Sequence, residues 1–398
     1  MKKRILINLT TALLFSSFIY LEYFQIESKI LNTIFGLLSI YLILQASRKD
    51  LFIIGTAIGI LWFYWIGYSF IYYDLPYLLP FIVLFFGFAY GTIFYLIGFQ
   101  NLYLRGGLFI LLNLFEPLAF NWFKPQVIFI NSHIGTELWQ FGVVVLSFVL
   151  MLNFKNSRFS YLLLLPILFT YSGSTPKEKL PLKIKVVETE IKQDEKWLPE
   201  NEFPIVKMNL EEIKKAIDDG YDMVVLPEST FPLYLNNRDR LMWVLQELSH
   251  RITIWTGSLY YENGNYYNSS YIFQNGEYQV AKKMVLVPFG EYIPLDFLGS
   301  WVNDIFFDGA DDFSPATEPT DIDIKGFKFR SAVCYEATSP QLFVDVPKYM
   351  IAISNNGWFT PSIEPTLQKL LMRHYATIYQ TVIVHSANIS GTGIVHPK

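Results

Sequence analysis

The sequence predicts two structural units: an N-terminal bundle of about seven transmembrane helices, then a C-terminal α/β domain. Three observations point there. Hydrophobic residues make up 52% of the 398-residue chain and charged ones only 17%, with mean hydropathy +0.30, too apolar for an ordinary soluble enzyme. Charge is also unevenly divided. Residues 1–174 hold 10 of the 31 basic and 6 of the 35 acidic residues, a net of +4, which leaves 21 basic and 29 acidic for the remainder, a net of −8. Finally, long apolar runs stop near residue 174, and short alternating or β-branched runs begin near 180. We therefore expect a membrane domain over 1–174 and a water-soluble domain over 175–398. The acidic balance of the second domain argues against nucleic acid as a partner.

A membrane-crossing helix needs about 20 mostly apolar residues. Seven stretches are candidates: about 5–23, 30–46, 51–73, 77–99, 106–121, 138–154 and 159–173. The first follows Lys2-Lys3-Arg4, but no small-residue cleavage site follows and more spans do, so it reads as an uncleaved anchor. With the N-terminus inside, the cytoplasmic flanks carry Lys2, Lys3, Arg4, Arg48, Lys49, Arg105, Lys155 and Arg158, and the outer flanks only Lys29 and Lys124. That bias orients the bundle and puts the soluble domain on the outer side. Glu116 lies near the end of the fifth stretch, where a carboxylate is either functional or tucked into the bundle; the second reading is preferred.

The second half reads as strands alternating with helices and turns, the pattern of an α/β domain. Strands are expected at 182–188, 223–228, 252–261, 327–336, 349–358 and 382–388, and as a hairpin over 269–283 turned by Asn275-Gly276. Helices are expected at 205–219 and 363–380.

Three chemically apt residues fall at strand ends, where α/β domains build sites. Glu228 closes MVVLPE, Lys283 closes the hairpin, and Cys334 follows FRSAV. Cys334 is the only cysteine, which excludes an internal disulfide framework and a thiolate zinc site. A lone cysteine is usually a small buried hydrophobe. As a nucleophile it needs a base to take its proton and a positive charge to favour the anion. Glu228 suits the first role if burial raises its pKa, and Lys283 suits the second and can also stabilise an oxyanion. The five histidines show no metal-ligand spacing.

The words around these residues are LPEST (226–230), KMVLVPFGEYIP (283–294), AVCYE (332–336) and SNNGWF (354–359). Together they resemble the nitrilase superfamily, and more closely its membrane-bound branch, the apolipoprotein N-acyltransferases. The resemblance implies an αββα sandwich for the soluble domain. It implies a Glu228–Lys283–Cys334 triad, with Glu291 of the FGEY word supporting the transition state. Tyr335 and Glu336 match residues that shape the acyl pocket, Trp358 matches a tryptophan of a mobile loop, and Trp197 matches one in the segment that opens the domain. Two features depart from the family. ETEI (188–191) stands where a Gln-Gly-Asn-Ile-like word is usual. The chain also ends at GTGIVHPK, where relatives continue into further strands and a last spanning helix, so the domain is expected to lack that segment.

The implied reaction has two steps. Cys334 takes an acyl chain from a membrane phospholipid as a thioester, then passes it to the free α-amine of a diacylglyceryl-modified cysteine at the N-terminus of a prolipoprotein. No metal and no organic cofactor is implied. The expected location is the bacterial inner membrane, with catalysis on the periplasmic side. Phe297, Leu298, Trp301, Val302, Ile305 and Phe306 recur at helical spacing, either a lid dipping into lipid or a helix packed on its own domain. Two other readings rank lower: a membrane-tethered nitrilase-type amidase, for which seven spans serve little purpose, and a non-catalytic sensor or transporter, which has no use for all three site residues.

Overall fold

Apolar sequence and the need to satisfy backbone polar groups internally make the first half helical. The computed structural model describes residues 2–173, 178–288, 290–292 and 313–398. In the first half it shows α1 (Lys2–Tyr23), α2 (Lys29–Gln45), α3 (Arg48–Phe63), α4 (Leu79–Ile97), α5 (Leu102–Leu111) and α6 (Leu138–Asn153). α3 runs on as a 3₁₀ helix to Tyr73, and another 3₁₀ helix covers Ser160–Thr170. Each of the seven apolar stretches therefore carries helix. Among the described residues, only Lys2–Tyr23, Arg48–Tyr73 and Pro76–Ile97 are long and apolar enough to cross a membrane, while Lys29–Gln45, Leu102–Leu114, Leu138–Asn153 and Ser160–Thr170 are shorter. Helix length thus supports three full crossings among the described residues and does not confirm a count of about seven. Proline accounts for part of this: Pro117 starts a separate short turn, and Pro166 lies inside the last stretch.

Small residues bring α3 and α4 together. A Cβ on Gly55 would lie 2.5 Å from the Tyr90 carbonyl oxygen, and one on Gly59 2.5 Å from that of Phe86. These two glycines, and Gly87 and Gly91 on α4, are spaced four apart, which lets two backbones touch. The outer face of α4 exposes Phe81, Leu84, Phe85 and Phe88, a stripe that suits lipid. Arg4 donates to Ser47 and Asp50, and Arg105 to the carbonyls of Leu44, Ala46 and Phe99. The start of α1, the α2–α3 turn and the α4–α5 turn therefore gather at one end of the bundle. Glu116 pairs with Lys124 at 2.6 Å.

The second half contains β1 (Ile184–Val186), α7 (Gln193–Lys196), α8 (Pro199–Asp218), β2 (Met223–Val225), β3 (Phe231–Tyr234), α9 (Asp239–Ser249), β4 (Thr253–Glu262), β5 (Asn265–Gln274) and β6 (Glu277–Lys282). β7 (Asp321–Ile324), β8 (Phe327–Val333), β9 (Tyr349–Asn355), α10 (Glu364–Tyr379), β10 (Val382–Asn388) and β11 (Gly393–Val395) follow. One sheet has the order β1-β2-β4-β5-β6 with β3 against β4, and the other the order β11-β10-β9-β8-β7. β1, β2 and β4 are parallel, as are β8, β9 and β10. Three two-residue turns, Asn263-Gly264, Asn275-Gly276 and Lys325-Gly326, have both residues at positive φ, the hairpin geometry that matches strand twist.

Four layers result, as the resemblance implied. Ile213, Ala216, Met242 and Leu245 of α8 and α9 cover the first sheet. Between the sheets, Val225, Trp255 and Ile272 meet Phe329, Ile351, Ile353 and Val384. Met372 and Ala376 of α10 cover the second sheet at Met350, Ala352 and Ile383. The other face of α10, with Leu367, Leu370 and Leu371, joins the apolar core of the membrane helices. α10 is therefore the floor of one domain and the roof of the other. β3, β7, β11 and α9 were not anticipated from the sequence. The expected lid helix at 297–306 lies outside the described residues.

Candidate active site

Parallel strands end together, so β2, β8 and β9 deliver the residues after them to one edge. Cys334 follows β8 with φ +56°, a left-handed conformation costly for a residue with a Cβ. The chain then turns at once into a 3₁₀ turn, Cys334–Thr338. Glu336 holds this elbow. Its Oε1 accepts from the Val333 amide at 2.8 Å, and its Oε2 from the Met284 and Val285 amides at 2.8 and 3.1 Å. The nucleophile's turn is thereby tied to the segment that follows Lys283.

Glu228 enters from the end of β2. Gly257 of β4 lets it approach, since a Cβ there would lie 2.6 Å from the Glu228 Cα. Asn268 donates to Glu228 Oε1 at 2.7 Å, and the Asn355 amide donates to Oε2 at 2.7 Å. Asn268 also donates to Glu291 Oε1 at 2.9 Å, so one side-chain amide sets the spacing of two carboxylates. Behind Glu228, the buried Lys196 donates to its carbonyl at 3.1 Å. Burial pulls the Lys196 ammonium down to about 8.

Lys283, 1% exposed, ion-pairs with Glu291 Oε2 at 2.6 Å. Beyond that ion pair its ammonium has no other partner among the described residues, which leaves donor capacity for a ligand. Burial opposes its charge, but Glu291, Cys334, Glu228 and Glu336 outweigh burial and hold its pKa above the ordinary lysine value. The thiol is pushed the other way. Burial and then Glu228 raise Cys334 well above its usual value, more than Lys283 lowers it. At rest Cys334 is a neutral thiol, and as a nucleophile it would need a base.

A second donor reaches the sulfur from α10. Gln368 Nε2 lies 3.9 Å from Cys334 Sγ and 3.4 Å from Ser354 Oγ. His385 fixes this amide's orientation. Its Nδ1 is 2.9 Å from the Gly391 carbonyl, which can only accept, and its Nε2 is 2.8 Å from Ser354 Oγ. Nδ1 therefore carries the proton, Ser354 donates to Nε2, and Gln368 turns its NH₂ toward Ser354 and the sulfur.

The structure brings Glu228, Lys283, Glu291, Cys334 and Glu336 together. Tyr335 and Trp358 instead face the membrane helices. The Tyr335 ring stacks on Phe120 and Trp122 with centroids 6.4 and 6.0 Å apart. Its hydroxyl donates to the Ala119 carbonyl at 3.0 Å and accepts from the Asn121 amide at 2.9 Å. Trp358 stacks on Tyr73 at 5.7 Å and meets the edge of Tyr72. Trp197 follows α7 and is 43% exposed. Sequence reasoning missed Asn268, Asn355, Gln368 and Lys196. Asn355 lies within SNNGWF and Lys196 beside Trp197, so both were adjacent to a signal; Asn268 and Gln368 carried none.

Residues 2–173 match the family described as apolipoprotein N-acyltransferase integral membrane domain, and residues 192–397 match carbon-nitrogen hydrolase. The chain is 42% identical to the apolipoprotein N-acyltransferase of Wolinella succinogenes, over 98% of this chain and 95% of that one. It is 35% identical to that of Helicobacter hepaticus, over 94% and 96%, and 34% identical to that of Campylobacter jejuni, over 97% and 88%. Likeness of this extent runs through both halves and through every word that carries the site, so the chain belongs to the apolipoprotein N-acyltransferase family.

Proposed function

We propose that Cys334 carries a phospholipid-derived acyl chain as a thioester and hands it to the N-terminal amine of a diacylglyceryl-modified lipoprotein. One observation carries this reading. The residue next to the nucleophile, Tyr335, is bonded into the membrane domain, so the thiol opens where bilayer and catalytic domain meet.

In the first step Glu228 takes the thiol proton as sulfur attacks the ester carbonyl. Lys283, with the ammonium protons that its ion pair with Glu291 leaves over, stabilises the thiolate and then the oxyanion. Glu291 keeps Lys283 charged and in place. Collapse of the intermediate returns the proton from Glu228 to the departing lysophospholipid oxygen. In the second step the amine attacks the thioester, and sulfur leaves as a thiol. Val285, Val287 and Phe359 line the same seam and pack against the membrane core, which offers apolar surface to an acyl chain. The basic cluster around Arg4, Arg48 and Arg105 lies at one end of the bundle, while Glu22 and Asn131 meet Arg373 of α10 at the seam. With the basic end in the cytoplasm, catalysis is periplasmic and the membrane is the bacterial inner membrane.

Intact-mass measurement on enzyme purified with excess phospholipid tests this. We expect an acyl adduct that hydroxylamine removes and that Cys334→Ala lacks. Activity retained by Cys334→Ala would refute the mechanism.

A further inference from the structure

Four carboxyl groups belong to the site, and three have their oxygens committed. Both oxygens of Glu228 accept from Asn268 and the Asn355 amide. Those of Glu291 serve Asn268, Lys283 and the Val287 amide. Those of Glu336 serve three backbone amides. The fourth, Glu364, is 1% exposed, and its Oε2 is buried with no hydrogen-bond partner among the described residues. Leaving such an oxygen unpaired costs stability unless a ligand claims it.

Its position suits a ligand of the thioester. Glu364 opens α10, one turn before Gln368, and side chains four apart share a helix face. Gln368 is the residue whose amide reaches Cys334 Sγ at 3.9 Å. The Glu364 charge acts on both Cys334 and Glu228. The residue before it, Ile363, is buried in the apolar core of the membrane helices. The unclaimed oxygen therefore belongs to the seam, beside the thiol.

The second half-reaction needs such a group. An α-amine with a pKa near 8 arrives largely as an ammonium, and a buried cation needs a counter-charge. It enters with three N–H bonds and leaves as an amide with one. One of the two protons lost ends on sulfur, and the other must leave the site. Glu228 serves the first, and nothing so far serves the second.

We infer that Glu364 binds the acceptor's α-ammonium and takes its first proton; this rests on the acyl-transfer reading above. Burial, and then Glu228, push the Glu364 carboxyl up to about 8, so the empty site holds it protonated. The incoming ammonium displaces that proton to solvent. The carboxylate then takes one proton from the ammonium, and the free amine attacks the thioester carbonyl. The C–N bond forms, the C–S bond breaks, and Glu228 carries the second nitrogen proton to sulfur. One proton has left to water, and Glu364 ends protonated as it began.

The experiment separates the two half-reactions in the full-length enzyme with phospholipid as donor. Lysophospholipid release reports acylation. Decay of the acyl-enzyme is followed with a diacylglyceryl-cysteine peptide and, separately, with hydroxylamine, which is neutral at pH 7. We expect Glu364→Gln to acylate normally and to react normally with hydroxylamine, but to transfer to the peptide about tenfold to a hundredfold more slowly. Glu364→Asp should recover part of the transfer rate. Wild-type transfer by Glu364→Gln overturns the inference. So does an equal loss with peptide and hydroxylamine, or a Glu364→Asp variant no better than Glu364→Gln. Failure of the wild-type enzyme to form any acyl-enzyme would instead sink the acyl-transfer reading itself.

Discussion

Two buried seams run through the molecule, and they are built of opposite materials. Between the sheets, Val225, Ile272, Ile351, Ile353 and Val384 meet as aliphatic surfaces. Between the catalytic domain and the membrane helices, aromatic faces carry polar bonds at fixed points. Trp122 donates to Thr338 Oγ1 at 2.8 Å and Asn121 to the Thr338 carbonyl at 3.1 Å. His374 lies between Gln126 and Thr136, at 3.1 and 3.0 Å. Arg373 reaches Asn131 at 2.7 Å. Apolar burial is non-directional and contributes mainly stability. Hydrogen bonds tolerate little error in distance and angle, so they fix one pose. The first seam holds the sandwich together, and the second fixes how the Cys334 elbow sits against the membrane helices.

The largest effects are expected where the two seams converge on the chemistry. Glu228→Gln and Lys283→Met should each lower transfer by on the order of a thousandfold, with no acyl adduct by intact mass on the folded protein. Next is the inter-sheet seam. Ile351→Ala deletes buried methyl groups and should cost about 2–4 kcal/mol, measured by thermal unfolding in detergent, while activity per folded molecule stays near wild type. An Ile351→Ala enzyme that is stable yet slow would erase the distinction between the seams.

How much of this the sequence disclosed follows the same division. Periodicity and composition expose elements that repeat, so the apolar stretches, β4–β6, β8–β10 and α10 were legible. The hairpin at Asn275-Gly276 was legible because two-residue turns demand those residues. Short edge strands such as β7 and β11 have too few residues to show a period. Glu228, Lys283, Glu291 and Cys334 could be read because they sit inside distinctive words. Asn268 and Gln368 could not. Each acts across a fold-wide distance, Asn268 on residues 40 and 23 positions away and Gln368 on one 34 away, and no local pattern encodes such a meeting. The number of crossings is not confirmed by helix length, because apolar composition counts residues, whereas prolines decide where a helix stops.

Proton linkage offers a smaller, signed test of the second seam. Burial raises Glu336 to about 7 and Glu364 to about 8. Between the unfolded value of about 4.5 and these values, the folded protein holds protons that the unfolded chain has released. These two groups should therefore make stability fall as pH rises from about 5 to 8, by at most about 1.4 kcal/mol per pH unit for each group. Below about pH 6.5 there is an opposite contribution from His374 and His385, which burial lowers to about 3 and 4. Glu364→Gln cannot titrate at this position, so its unfolding midpoint should vary less with pH, most visibly between 7 and 8, where Glu336 is more than half ionised. A slope identical to wild type would mean Glu364 is already charged in the empty site.

The finest test of the comparison is a single oxygen. Tyr335→Phe keeps the ring between Phe120 and Trp122 but removes the hydroxyl that donates to the Ala119 carbonyl and accepts from the Asn121 amide. Both backbone groups lie at the buried seam, and leaving them unpaired should cost about 1–2 kcal/mol. That is less than Ile351→Ala costs. Yet Tyr335 adjoins Cys334, so any shift of its ring moves the strained elbow and with it the thiol. Acyl-enzyme formation should slow several-fold even though the sandwich is nearly as stable as wild type. The pair is diagnostic: Ile351→Ala loses stability and keeps its rate, while Tyr335→Phe keeps most of its stability and loses rate. If Tyr335→Phe acylates at the wild-type rate, the polar bonds of the second seam serve cohesion alone, and the elbow is held by Glu336 without help from the membrane.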